Sequence, residues 1–250
     1  MLGPETDREG VRANGPVNPA PILRYTTDDL PPEDRYRTWY LRDWPRSEPI
    51  FRTVPTEPFN TRWESVQLGS VMFVYTEISG MRWERRRQDI RVSDFDPIIV
   101  NMMIEGEAQG DMDGRPFHET AGTFHFHDLS RPSLHASTAS LTYSVVVPRP
   151  VAEQWFAPLQ DLHGLVIGGA AARTLFACAE HVRQMLPRLD RARTALAATE
   201  PVEPISNIAL RLGFGDATNL SRSFRKRYGM SPSDYRKLLV AGGPAADQPG

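Results

Sequence analysis

The stretch that decides the reading runs from Glu203 to Leu239, EPISNIALRLGFGDATNLSRSFRKRYGMSPSDYRKLL. Pro204 suits a first helical turn, where its missing N–H leaves no bond unmade, and Ile205, Ile208, Ala209 and Leu212 then line one face. Gly213 ends this helix. After the Gly213-Phe214-Gly215 turn, Asp216 is a good N-cap for a second helix that carries Leu220 and Phe224 inward, with Tyr228 near its end and Gly229 as its stop. Ser231-Pro232-Ser233-Asp234 has the marks of a capping box for a last helix through Leu239. Two helices joined by a short glycine turn, with a third beyond, form a helix-turn-helix arrangement.

A face opposite Leu220 and Phe224 must look outward. At 100° per residue that face holds Thr218, Arg222 and Arg225, flanked by Ala217 and Ser221. These residue types read DNA: arginine bonds guanine in bidentate fashion, hydroxyls bond base edges or phosphate, and alanine meets a thymine methyl. Lys226, Arg227 and Arg211 suit phosphate contacts. The formal charge of the whole chain is −2, yet Ile205 to Val240 holds seven basic and two acidic residues. Such a local excess is what a phosphate-binding surface needs.

At these residues a family pattern becomes specific. Ile205-x-x-Ile208-Ala209, Gly213-Phe214, Asp216, Leu220-Ser221-Arg222-x-Phe224, Tyr228-Gly229, Ser231-Pro232 and Tyr235-Arg236 resemble the second helix-turn-helix of the AraC/XylS transcription regulators. The resemblance places the outward recognition positions on Ala217, Thr218, Ser221 and Arg222, and implies major-groove binding near promoters. That family carries two helix-turn-helix units joined by a linker helix. Here Arg188 to Ala198 looks like the linker followed by the second unit alone, since ACAEHVRQML upstream lacks a glycine turn and a basic helix.

Ahead of this segment the chain changes character. Hydrophobic residues make up 40% and charged residues 24% of 250, an ordinary globular composition with room for two domains. Residues 1 to 20 are too poor in apolar groups to offset the entropy of ordering and are expected to be a disordered arm, as are residues 241 to 250 a tail. Arg35 to Trp44 spaces Tyr36, Trp39 and Tyr40 as an amphipathic helix. Val66 to Ile78, Ile98 to Ile104, Thr123 to Leu129 and Leu141 to Val147 read as strands, separated by Glu105-Gly106, Asp113-Gly114, Ala121-Gly122 and Arg131-Pro132 as turns. From Pro148 helices take over, over Val151 to Leu159, Ala170 to Leu186 and Arg188 to Ala198, with Pro187 ending or kinking the second.

Glu84-Arg85-Arg86, Glu105-Gly106, Asp113-Gly114, Ala121-Gly122, Asp128, Arg131-Pro132 and Pro148-Arg149 resemble the cupin-like ligand-binding domain attached to one AraC subgroup, over roughly Phe59 to Gly169. The resemblance implies a barrel that senses a small molecule or supports dimerisation. The expected fold class is therefore α+β: an N-terminal cupin-like antiparallel β-barrel over 21–169, a helical dimerisation or linker region over 170–200, and an all-α helix-turn-helix over 201–240.

His125 and His127 alternate onto one strand face, with His118 and His135 near in sequence, which raises a metal site. The family's metal signature also needs a carboxylate shortly afterwards, and Leu129 to Ala136 has none, so polar or half-buried histidines are the safer reading and no metal or other cofactor is expected. Arg85, Arg86 and Arg87 suit either an anionic effector or a solvated edge strand. Cys178 stands alone, which rules out an internal disulfide and favours a reducing, cytoplasmic setting. No catalytic triad, phosphate loop or dinucleotide fingerprint occurs, no apolar run is long enough to span a membrane, and the first twenty residues do not form a signal peptide. The expected protein is a non-enzymatic regulator whose partners are double-stranded DNA, a second copy of itself and a small-molecule effector. A non-enzymatic protein that dimerises with intact relatives is the alternative, and a cupin-type metalloenzyme a distant third.

Overall fold

A computed structural model describes residues 22–42, 50–156, 158–198 and 203–241. The expected arm over 1–20 and nearly all of the expected tail lie outside them, as does Trp44. The chain divides into two compact units, the first ending at Arg183 and the second starting at Gln184.

The first unit is built from two antiparallel sheets. One orders seven strands as β1 (Leu23–Thr26), β3 (Thr61–Leu68), β4 (Val71–Ile78), β11 (Ser140–Val147), β6 (Ile98–Glu105), β9 (Phe124–Asp128) and β12 (Val166–Ile167). The other orders β2 (Arg52–Pro55), β5 (Met81–Arg85), β10 (Ser133–Ser137), β7 (Glu107–Met112) and β8 (Arg115–Thr120). The outermost strands are short or carry proline: β1 has four residues, β12 two, β2 ends in Pro55 and β8 contains Pro116. Such an antiparallel, two-sheet unit is the cupin-like arrangement the sequence pattern implied.

The apolar run from Val66 to Ile78 is not one strand. It turns at Gly69, whose φ of 64° suits glycine, and pairs with itself as the β3–β4 hairpin, Leu68 opposite Val71. Asp113 and Gly114 make the two-residue turn between β7 and β8, both at positive φ (55° and 88°), as a tight hairpin demands. The helix α1 (Pro32–Arg42) packs Trp39 against Phe59 and Tyr36 against the same ring, with Tyr25, Ile78 and Met81 completing that cluster. A second apolar cluster gathers Met103, Ala108, Met112 and Phe117.

Arg85 takes neither role expected of it. It lies on β5, between β2 and β10, is 1% exposed, and donates to three main-chain carbonyls: Leu129 (2.7 Å), Ile50 (2.6 Å) and Phe95 (3.1 Å). The long side chain thus ties three loop segments to one strand, and burial pushes its pKa down. Its neighbours point outward to partners, Arg86 to Glu84 and Arg87 to Asp113. Other motif residues are also clamps. Arg131 grips Asp113, and Arg149 joins Asp96 (2.7 Å) to Asp128.

A short helix α2 (Arg87–Val92) and a helix α3 (Arg149–Trp155) flank the sheets. The helices expected on either side of Pro187 are a single one, α4 (Gly169–Ala197), with Pro187 inside it. Proline removes one main-chain bond there. The buried residues Leu186, Leu189, Ala192 and Leu196 recur along one face through that point, so packing holds the turn that propensity would have broken.

The second unit places α5 (Ile205–Arg211), α6 (Ala217–Tyr228) and α7 (Pro232–Ala241) around a core shared with that part of α4. Leu189, Ala192 and Leu196 meet Ile208, Leu212, Leu220 and Phe224, each Leu, Ile or Phe side chain this well buried contributing about 1.5 to 3 kcal/mol. The residues before α5 read as a separate linker in the sequence; in the structure they help form this core.

Candidate nucleic-acid interface and interior cavity

The turn between α5 and α6 is fixed by main-chain geometry. Gly213 sits at φ 76°, its N–H donating to Leu210 O (3.1 Å) while Phe214 N donates to Ala209 O (2.9 Å). This is a Schellman ending, with Phe214 buried beside Ala209 as the motif prefers. Asp216 then caps α6 by accepting from Asn219 N at 2.7 Å, and Gly229 closes the helix at φ 74°. Ser231 accepts from Asp234 N (3.1 Å), starting α7 with the expected capping box.

With both ends fixed and Leu220, Phe224 and Tyr228 buried, the rotation of α6 about its axis is determined. Thr218, Arg222, Arg225 and Lys226 are exposed, and Ala217 and Ser221 half-buried. All six lie on α6 within three turns. Among the described residues neither arginine nor Lys226 has a recorded ion-pair partner, whereas Arg211 is held by Glu203 (3.1 Å from Nε) and Arg227 stands 5.6 Å from the Tyr228 ring. Tyr228 also donates to Asp190 Oδ1 at 2.8 Å, which ties the end of α6 to α4; burial, then that carboxylate, push the phenol pKa up.

The first unit holds a partly open cavity of about 190 Å³ between its sheets. Its walls include Phe51, Trp83, Asn101, Glu119, His125, His127, His135 and Thr142. His125 and His127 do share a face, with ring centres 6.0 Å apart, and His135 joins them across the cavity at 5.7 Å from His127. His118 does not: it is exposed and bonded to Glu107. His163, not singled out in the sequence, lies fully buried with its ring 5.4 Å from His127, accepting from Asp128 N and bonded to Pro132 O. Burial holds His127 well below the usual imidazole pKa and takes His135 down to about 3, so both are neutral at pH 7.

The carboxylate in this wall comes from upstream. Glu119 on β8 is fully buried, bonded through Oε2 to His125 Nδ1 (2.8 Å) and Asn101 Nδ2 (3.1 Å). Its one sequence signal was alternation, since Phe117 and Glu119 are the two buried positions of β8. Among the described residues no group of three or more His, Cys, Asp or Glu is disposed to hold a metal ion.

A family described as "Helix-turn-helix domain" matches residues 179–238. Transcriptional activator RhrA of Rhizobium meliloti (strain 1021) is 43% identical over 54 residues, which are 22% of this chain and 17% of that protein. The chain therefore spans about a sixth of the length of this curated relative. The crystal structure of the AraC-like transcriptional activator CuxR superposes with a TM-score of 0.57 at 17% identity, covering 90% of this chain and 96% of that one. At that identity the likeness concerns the fold, and it extends over the barrel and the helices alike.

Proposed function

We propose that this chain, which carries an AraC/XylS-type helix-turn-helix behind a cupin-like barrel, is a regulator of transcription that binds a specific DNA site through α6. One observation carries the reading: α6 is capped at both ends, anchored on Leu220, Phe224 and Tyr228, and so presents Ala217, Thr218, Ser221, Arg222, Arg225 and Lys226 together on its accessible side. A helix held this way enters the major groove, with Thr218, Ser221, Arg222 and Arg225 against base edges and Lys226 against phosphate. The barrel cavity is the place for a small-molecule effector, and the DNA-binding form is a homodimer.

Support for the dimer comes from counting modules. Among the described residues there is one helix-turn-helix, and a single small module buries only about 600 to 1,000 Å² on DNA. Two copies on two half-sites add an avidity of about 10² to 10⁴. Anisotropy titration of the full chain against promoter fragments and random duplex, at fixed salt, tests the reading. It predicts a preference of about 10³ or more for one fragment; equal affinity for all sequences would refute it and favour the alternative of a protein that acts through intact relatives.

A further inference from the structure

The barrel cavity contains more information than its position. Glu119 is wholly buried, and only its Oε2 is engaged; Oε1 has no hydrogen-bond partner. His125 Nε2 is also buried and unpartnered, as is His135 Nδ1. Ser144 Oγ donates to Asn101 Oδ1 (2.9 Å), which fixes the amide so that its Nδ2 donates to Glu119. His125 Nδ1 is bonded to the same group at 2.8 Å, and with Nδ1 as the donor the other ring nitrogen, Nε2, is left to accept. Glu119 Oε1 and His125 Nε2, both buried, are thus left without a protein partner in the lining of the cavity.

Leaving a buried carboxylate oxygen unpaired is unfavourable, and native interiors rarely do so without a bound group to satisfy it. The described lining residues include no Lys or Arg that could receive an anion, and burial keeps His127 and His135 neutral at pH 7. Two walls are aromatic, Trp83 and Phe51, with ring centres 5.8 Å apart. Their faces attract a cation as well as a flat ring. The volume sets the scale: a cavity of roughly 150 Å³ holds a benzene molecule, and this one is about 190 Å³.

We propose that the cavity is selective for a small organic cation of single-ring size that donates N–H bonds to Glu119 Oε1 and His125 Nε2, and that it rejects carboxylates and phosphates. The proposal rests on the reading of the barrel as the sensor and names the class of molecule it senses. An amidinium or primary ammonium on a flat ring meets each requirement: paired donors for the two open acceptors, a positive charge against Glu119, and a ring against the aromatic wall that Trp83 and Phe51 form together.

Three probes of one shape and different charge test it on the full chain: benzamidine, benzamide and benzoate, by titration calorimetry and thermal shift. Benzamidine should bind saturably and raise the melting temperature, benzamide should bind more weakly, and benzoate should not bind. Glu119→Gln, which keeps the side-chain shape, should reduce benzamidine affinity by about tenfold to a hundredfold, the loss expected for a charge-assisted hydrogen bond, and leave benzamide almost unchanged. The charge series on the unaltered protein stands even where the variant folds poorly. Binding of benzoate as tight as that of benzamidine, or no binding by any of the three, overturns the proposal. Sequence-specific DNA binding by the same preparation, measured without probe, separates that failure from a failure of the regulator reading.

Discussion

Arg222 and Lys226 lie one turn apart on α6, both exposed, yet their expected contributions differ in kind. Arg222→Ala should weaken binding to the preferred site by about 1 to 3 kcal/mol and relax base preference, whereas Lys226→Ala should weaken all duplexes alike and lower the salt slope by about one. Equal loss on every sequence for Arg222→Ala, read by competition anisotropy, removes its base-reading role. Arg85 makes the opposite point about legibility. In the sequence it is one of three adjacent arginines; only the fold separates the buried one from its solvated neighbours. Arg85→Met keeps the length and strands three carbonyls, so urea unfolding should show a loss of about 3 kcal/mol or more, since each orphaned buried acceptor costs about 1 to 3 kcal/mol. Glu119 stayed hidden for a similar reason: alternation with Phe117 is its one local signal, and its partners Asn101 and His125 lie on other strands.

The elements of the second unit were legible almost to their ends because caps are local chemistry. Pro204, Gly213, Asp216, Gly229 and Ser231-Pro232 each act within a few residues, and each stands at a helix boundary in the structure. Asp216→Ala removes the bond to Asn219 N and should destabilise the unit by about 1 kcal/mol; Gly213→Ala, at positive φ, should do so by a similar amount. Thermal melts of the single and double variants check this, and a double variant no worse than either single would contradict independent caps. The barrel strands were read less fully. β6, β9 and β11 stood out as apolar runs, but β2, β5, β7, β8 and β10 are short and polar on one side and are held by partners up to tens of residues away. Of the two outcomes expected at Pro187, an end or a kink, the end does not occur for a related reason, since the force that carries α4 through it is burial of Leu186 and Leu189, a tertiary effect.

At the scale of the whole molecule, acid should act on the barrel through its histidines. His127, His135 and His163 have folded pKa values below the ordinary 6.5, so the unfolded chain binds more protons as pH falls. Their contribution to stability is complete above about pH 6.5 and is lost progressively from there down towards about pH 3, the folded value of His135. Each contributes at most about 1.4 kcal/mol per pH unit. Urea titrations from pH 8 to pH 5 should therefore show falling stability, and a flat profile would mean these rings protonate freely when folded. The second molecular expectation concerns residues 188–250, whose binding to DNA when isolated should be weak, near 10⁻⁴ to 10⁻⁶ M, and strongly salt-dependent; nanomolar specific binding by that fragment would remove the need for a dimer. The outer strands of the two sheets have a further consequence. Two are only two and four residues long, and the other two carry Pro55 and Pro116, so little continuous edge is left on which a foreign strand could dock. The barrel is thereby protected from β-mediated aggregation, and replacing Pro116 with valine would offer a longer, stickier margin to neighbouring molecules at high concentration in the cell.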